Sequence, residues 1–168
     1  MARERQLSET TKAALQAAVG SDIVGALAPE LFSGEAVGTS GHFSLVLAGG
    51  KSLNFGVDSI SEISDDSREE YFQLQAALDS APPIVRRWPN GPEVPWSTAV
   101  PVANAVVGMT LESVVVLTIG GGDGLPVEVG VRLSTTRGTG VVILAEHGGL
   151  PMSLSVSESE PGAWPHEV

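Results

Sequence analysis

The sequence predicts an α+β fold: a mainly antiparallel sheet of about seven strands, strongly curved or divided into two layers, with two or three helices packed against it. Three observations lead to this prediction. Apolar residues alternate with polar ones over short stretches, which is typical of strands with one buried face. Twenty glycines and eleven prolines among 168 residues favour short strands and frequent turns. Residues 8–18 have the composition of a helix, with Ser8 as its cap and Gly20 just past its end.

The most regular strand pattern lies within residues 107–156, which we interpret as four strands joined by glycine-rich turns. Apolar residues at the odd positions 127–133 alternate with polar or small ones, so all four are expected on one buried face. The run 141–145 is apolar on both faces and is expected to be a central strand. Pro151 has no N–H to donate, which predicts that the strand 150–156 lies at a sheet edge.

The same alternation predicts the turns of this region, because a shift of one residue would turn a strand inside out. Matching the buried faces pairs Ala145 with Met152 around a turn at Gly148-Gly149. Two glycines supply the positive φ angles that a two-residue hairpin turn needs. The preceding loop is expected to hold an odd number of residues and to be centred near Arg137.

The N-terminal half is expected to hold one hairpin, and two further helices are expected after that hairpin. Odd-numbered apolar residues at 43–47 and 53–57 predict a hairpin with the three-residue loop Gly49-Gly50-Lys51. Acidic residues suit the positive end of a helix, which predicts a second helix over 65–78. A short third helix is expected over 101–107, with a proline in its first turn and Ser97 as its cap.

The chain is predicted to form one domain, residues 1–168, made of two halves. The halves cover about 8–80 and 97–157, and residues 81–96 join them. This connector holds five prolines, so it cannot be helical and is expected to be extended. A possible strand over 23–32 is interrupted by Pro29 and is expected to be irregular or at an edge. The polar residues 158–168 are predicted to form a mobile tail.

The halves are similar in the order of their apolar and glycine positions. A shift of 88 positions without gaps places Gly20 on Gly108 and Ile23 on Leu111. Identity at this shift is hardly above chance, and the matched order alone suggests a pseudo-twofold internal repeat. Each half would then consist of a helix, a strand, a loop and a hairpin.

The composition excludes several classes of protein. The formal net charge is −11 with only nine Lys and Arg residues, which argues against binding to nucleic acid. There is no cysteine, so neither disulfides nor thiolate metal sites are expected. The apolar runs are too short for a membrane span, and no signal-type segment follows the N-terminus, which predicts a cytoplasmic protein. Abundant Ala, Gly and Val, with Arg preferred to Lys, indicate a bacterial source.

The glycine-rich motifs do not predict catalysis. Residues 120–124 resemble a phosphate-binding loop only superficially, because Pro126 and a strand follow where such a loop needs a helix. His147-Gly148-Gly149 is similar to an oxyanion loop of esterases, but no Gly-x-Ser-x-Gly elbow accompanies it. Both motifs are better explained as turns between strands.

The ionisable residues also predict no catalytic, cofactor or metal site. The acidic residues between 58 and 70 lack the glycine and the spacing of a calcium-binding loop. The histidines are too few and too scattered for a zinc site, namely His42, His147 and His166. Four other carboxylates could form an acid/base pair only if the fold brought them together, namely Asp22, Glu30, Glu112 and Glu128.

The connector holds the one unusual cluster, which consists of Arg86, Arg87, Trp88 and Trp96. Arg and Trp are enriched among the residues that dominate protein–protein binding. The alternative is that the tryptophans cover the seam between the halves and the arginines balance an acidic surface. Of the four, Trp96 is expected to be buried, and Arg86 and Arg87 exposed.

These patterns favour a non-enzymatic bacterial protein-binding module, of which an immunity or inhibitor-type partner of a basic protein is one form. Small size, strong acidity and the lack of catalytic motifs favour this prediction. The alternative is a small-molecule-binding protein or small hydrolase with a pocket between the halves. The edge strand 150–156 further predicts a homodimer in which two copies extend one sheet.

Overall fold

The computed structural model describes residues 6–30, 41–63, 68–120, 126–145 and 154–159. Within these ranges the chain forms two antiparallel sheets and two helices, which agrees with the α+β prediction, although nine strands are present instead of about seven. The helices are α1 (Glu9–Ala18) and α2 (Val100–Val106), and the strands are β1 (Ile23–Pro29), β2 (His42–Leu47), β3 (Lys51–Ile63), β4 (Arg68–Asp79), β5 (Trp96–Thr98), β6 (Leu111–Gly120), β7 (Pro126–Thr135), β8 (Gly140–Ala145) and β9 (Leu154–Ser159).

The first sheet has the strand order β4-β3-β2-β1-β5 and the second the order β6-β7-β8-β9. β1 is therefore an interior strand, so the edge alternative of its prediction does not apply. It is irregular, however, because Val24 forms a bulge opposite β2. β9 lies at the edge of the second sheet, and residues 150–153 of the predicted edge strand fall outside the described residues.

Helix α1 forms where the sequence predicts it, for local reasons. The Ser8 hydroxyl accepts a hydrogen bond from the Thr11 N–H at 3.1 Å, which caps the first turn. Gly20 follows the last turn with a φ of +90°. Leu15 and Ala18 are buried, and the helix packs against β3, β4 and β6.

Helix α2 occupies most of the predicted range, but its cap differs from the prediction. Ala99 is the N-cap and supplies no side-chain hydrogen bond, while a proline stands in the first turn as expected. Ser97 does not cap the helix because it lies in β5, where it pairs with Ala28. The helix packs against β1, β8 and β9.

One hydrophobic core joins both sheets and both helices. Phe43 and Phe55 pair across β2 and β3 with ring centroids 6.1 Å apart. Leu45 and Leu133 lie at matching places in the two sheets and are both almost completely buried. Because strands β4, β7 and β8 are in contact, the two sheets share this core rather than enclosing one each.

The predicted helix over 65–78 is wrong. Residues 68–79 form β4, which pairs with β3 along its whole length, from Ser52↔Asp79 to Ile63↔Arg68. Leu74 and Ala76 enter the core on either side of Gln75, so the period is two. Residues 64–67, at the start of the predicted helix, lie outside the described residues.

The prediction of a single buried face for residues 127–133 is also wrong. A register shift occurs where Leu117 pairs with Gly130 and Thr118 with Glu128, so Val129 is an extra residue in β7. Val131 and Leu133 join the main core, whereas Val127 and Val129 pack with Leu144 in a second, smaller cluster.

Two of the three predicted turns differ from the structure in register. Leu47 pairs with Lys51, so the loop is residues 48–50 rather than 49–51. Ala145 pairs with Leu154 rather than Met152, and the turn itself lies outside the described residues. The loop centred on Arg137 is confirmed, because the Thr135 N–H donates to the Thr139 carbonyl at 2.8 Å.

The β1–β2 and β2–β3 ladders of the first sheet have the same registers as the β6–β7 and β7–β8 ladders of the second. Ala26 pairs with Leu45 in the first sheet, and Val114 pairs with Leu133 in the second. Each of these residues lies 88 positions from its counterpart. The same holds for the bulges, since Val24 and Glu112 are the extra residues opposite β2 and β7.

The two sheets meet where β1 and β6 begin. The Thr110 hydroxyl donates to an Asp22 carboxylate oxygen at 2.6 Å, and these two residues are 88 positions apart. Four backbone hydrogen bonds surround this contact, and they form two pairs related by the shift of 88 positions. In the first pair the Gly20 N–H donates to the Leu111 carbonyl (2.7 Å) and the Gly108 N–H donates to the Ile23 carbonyl (2.8 Å). In the second pair the Ile23 N–H donates to the Met109 carbonyl (2.8 Å) and the Leu111 N–H donates to the Ser21 carbonyl (2.9 Å).

Candidate functional site

The connector folds into a small hairpin, residues 85–94, which we call the connector hairpin. The Val94 N–H donates to the Val85 carbonyl at 2.8 Å, and the Gly91 N–H donates to the Trp88 carbonyl at 2.8 Å. Asn90 has a φ of 62°, which fits the third position of a turn that has a proline second. The expectation of an extended connector is therefore wrong over this segment.

The turn holds Trp88 in place while leaving it exposed. A Cβ atom added to Gly91 would lie 2.8–2.9 Å from three atoms of the Trp88 indole, so the ring lies directly on this glycine. Trp88 nevertheless remains 59% exposed. An aromatic side chain with this exposure and a fixed backbone is ready to bind without much loss of conformational entropy.

The exposed Arg86 side chain links the two arms of the hairpin. Its Nη1 donates to the Gly91 carbonyl at 2.8 Å, and its Nη2 lies 3.7 Å from a Glu93 carboxylate oxygen. The two ion-pair partners are largely exposed, so the pair itself adds little stability. Arg87, the next residue, is exposed and belongs to the outward surface of the hairpin.

Trp96 lies at the base of the connector rather than in the hairpin. It begins β5, where it pairs with Pro29 at the end of β1, and it is half-buried. Its indole N–H donates to the Pro83 carbonyl at 3.0 Å. The structure thus places Arg86, Arg87 and Trp88 together and gives Trp96 a separate, anchoring position.

A buried polar network fixes the other end of the connector. The Asn54 amide donates to the Ala81 carbonyl at 2.9 Å and to an Asp79 carboxylate oxygen at 3.1 Å. The Asn54 side-chain oxygen accepts from the hydroxyls of Ser44 and Ser52 at 2.6 and 2.7 Å. These three residues alternate with core residues and would ordinarily face solvent, but they are buried. The alternation of polar and apolar residues in the sequence therefore does not predict that these polar side chains are buried.

Exposed large apolar residues are few in the part of the chain that the structure describes. Four are found there: Val24, Ile84, Trp88 and Val107. Ile84, which is 69% exposed, and Trp88 both belong to the connector. We call Ile84, Arg87 and Trp88 the connector surface, and it is the candidate site.

The carboxylates considered for catalysis have structural partners or are separately exposed. Asp22 accepts from Thr110, as described above. Glu128 accepts a hydrogen bond from the Leu7 N–H at 2.6 Å and lies 3.3 Å from the Lys12 ammonium, and so joins β7 to α1. Glu30 and Glu112 are exposed.

The described residues give no sign of a metal or acid/base centre. In these ranges no group of three or more His, Asp or Glu side chains could hold a metal ion. His42 begins β2, and burial lowers the pKa of its imidazole below 6.5. The other two histidines lie outside the described residues.

The chain matches no protein-family model, and neither a curated protein nor a solved structure is significantly similar to it. Of the helices that the structure describes, none has the length and apolar character needed to cross a membrane.

Proposed function

We propose that this protein is a non-enzymatic protein-binding module whose connector surface is the contact site. The observation that supports this proposal best is the Trp88 indole, which is 59% exposed although Gly91 and its turn hold it in one place. Tryptophan and arginine are enriched among residues that dominate binding energy, and the exposed Arg87 directly precedes Trp88 in the chain. Ile84 extends the apolar area on the same segment.

The partner we propose is a basic protein. The net charge of −11 attracts a basic partner over long distances and raises its association rate, while the apolar connector surface supplies close contact. An immunity or inhibitor-type role would follow if the partner is a basic toxin or enzyme. Attraction of this kind weakens as salt concentration rises, which gives the proposal a clear signature.

We further propose that the two halves are an internal repeat with pseudo-twofold symmetry, centred on the contact between Asp22 and Thr110. The equal registers, the matching bulges and the exchanged hydrogen bonds support this proposal. The connector then lies between the repeated units, on a scaffold whose two sheets hold each other in place.

The proposal is tested by retaining partners from native lysate on the immobilised protein at low and high salt. We expect a basic protein to be retained at low salt and released at high salt. Trp88→Ala should abolish its retention. Val24→Ala is the matched control, because Val24 is 54% exposed but lies outside the connector, and this variant should retain the partner.

A stability measurement separates loss of binding from loss of folding. Trp88→Ala should change the free energy of unfolding by less than about 0.5 kcal/mol, as ordinary surface substitutions do. A loss of several kcal/mol would instead support the alternative that Trp88 covers the seam between the halves. If no basic protein is retained at low salt, or if Trp88→Ala retains it equally well, the proposal is wrong. A small molecule that co-purifies would favour the ligand-binding alternative.

A further inference from the structure

The outer edge of β9 carries backbone groups that point away from its own sheet. The hydrogen-bonded pair Thr135–Thr139 fixes the pattern of the β7–β8 ladder, in which bonded and non-bonded pairs alternate. Val141 and Ile143 therefore bond to β7, and Ala145 continues the same alternation. Their partners in β9 must direct both N–H and C=O outward, and these partners are Glu158, Val156 and Leu154.

Strand β4 of the first sheet has the same arrangement opposite Phe55, the residue 88 positions before Ile143. Ala76 in β4 pairs with Phe55 just as Val156 in β9 pairs with Ile143. The Ala76 N–H does point away from β3, because it donates to the Thr11 hydroxyl at 3.2 Å. Helix α1 thus covers the edge of β4 and satisfies a donor that would otherwise be open to another strand.

In the second sheet α2 packs against β9, but the described residues hold no counterpart of the hydrogen bond to the Thr11 hydroxyl. The residue 88 positions after Thr11 is Ala99, which has no hydroxyl, and α2 begins only at Val100 because the preceding residues form β5. Helix α2 therefore has seven residues where α1 has ten. Among the described residues no hydrogen bond reaches the outward N–H of Val156.

We propose that the edge of β9 pairs with β9 of a second copy of this chain, antiparallel and centred on Val156. In this register the outward groups of Leu154, Val156 and Glu158 meet those of Glu158, Val156 and Leu154 of the second copy. About six backbone hydrogen bonds form, and two four-stranded sheets become one. Two identical antiparallel strands related by a twofold axis at Val156 match every outward group of one copy with an outward group of the other, and such twofold dimers are the commonest oligomers.

The charge of the protein predicts how this pairing responds to salt. Each copy carries a net charge of −11, so repulsion opposes association and is screened as salt rises. Dimerisation should therefore strengthen with salt. This inference does not rest on the proposed function. Salt should strengthen the β9 dimer but release the basic partner, so the failure of either proposal can be distinguished from the failure of the other.

Sedimentation equilibrium and hydrogen exchange test the pairing on the full chain. We expect a monomer–dimer equilibrium, and the amides of Val156 and Glu158 should become protected only as protein concentration rises. Glu158→Pro removes one outward N–H per copy at an exposed position and should weaken association about tenfold or more. Glu158→Ala, the control, keeps that N–H and should still dimerise.

A charge pair tests the register itself. Strand positions 155 and 157 of the two copies lie opposite each other, where like charges repel and opposite charges attract. The double variant Ser155→Arg with Ser157→Arg should weaken the dimer, and Ser155→Arg with Ser157→Glu should restore it. The proposal is overturned by a strict monomer at every concentration and salt, by amides protected in the monomer, or by equal dimerisation of the two double variants.

Discussion

Gly130 and Gly140 lie where adjacent strands of the second sheet leave no room for a side chain. A Cβ atom at Gly130 would overlap the Ile143 carbonyl oxygen and lie 2.9 Å from the Leu144 Cα. Backbone atoms cannot move aside as flexible side chains do, so Gly130→Ala should lower the free energy of unfolding by about 1–3 kcal/mol. Urea denaturation measures the loss. Gly120→Ala is the control, since a Cβ there meets nothing within 4 Å, and an equal loss in both variants would contradict the prediction.

His42 predicts how stability depends on pH. Burial lowers the pKa of His42 below 6.5, so the folded state takes up a proton less readily than the unfolded state. The stabilising contribution of the neutral ring is complete above 6.5 and is lost as pH falls from 6.5 through the lower pKa of the folded state. His42→Gln should remove this part of the pH dependence, as urea denaturation on both sides of that range would reveal. Parallel stability curves for the two proteins would contradict it.

Residue-scale reasoning from sequence succeeds where neighbours in the chain decide the outcome. The cap at Ser8 and the position of Gly20 just past the end of α1 follow from local chemistry and are found as expected. Such reasoning fails at Val129, because this extra residue in β7 reverses which side chains of the strand face the main core. Glu128 consequently points toward α1, where its carboxylate reaches the Leu7 N–H, although alternation placed it in solvent.

Helix α1 packs against β4 and accepts one hydrogen bond from its edge through a hydroxyl, and this bond is open to test. Thr11 is almost completely buried, and its hydroxyl accepts from the Ala76 N–H. Thr11→Val keeps the shape but leaves that donor without its partner, so we expect a loss of about 1–3 kcal/mol in the free energy of unfolding. Thr10→Val makes the same change at an exposed position of the same helix and should cost less than about 0.5 kcal/mol. Equal costs would contradict the role of the hydroxyl.

Strand β4 illustrates why element type could not be settled from the sequence alone. Residues 72–78 place apolar side chains at a period of two, yet Tyr71, Leu74 and Leu78 also fit one helical stripe. Pairing with β3 along twelve residues stabilises the strand over the helix. A local pattern does not reveal that pairing, because it joins residues from two separate segments of the chain. The connector hairpin is different, because its turn has the local Pro-Asn-Gly signature. The density of prolines around this signature favoured an extended segment instead.

At the scale of the whole molecule, the order of apolar and glycine positions carried more information than residue identity. The shift of 88 positions relates residues whose ladders have equal register, although few of the residues are the same. What the pattern could not provide is the division into two sheets that share one core. That division depends on the crossing at Asp22 and Thr110 and on long-range contacts between β4 and the second sheet.

The shared core predicts that the two halves unfold together. Leu45 and Leu133 occupy matching places, one in each sheet, and both belong to the same buried cluster. Leu45→Ala and Leu133→Ala should each cost about 2–5 kcal/mol, since each leaves a cavity among tightly packed neighbours. If the core is one cooperative unit, each variant should lower a single melting temperature for the whole protein, with calorimetric and van't Hoff enthalpies equal. A second transition in calorimetry, with one half still folded, would contradict a shared core, because damage to one sheet would then leave the other intact.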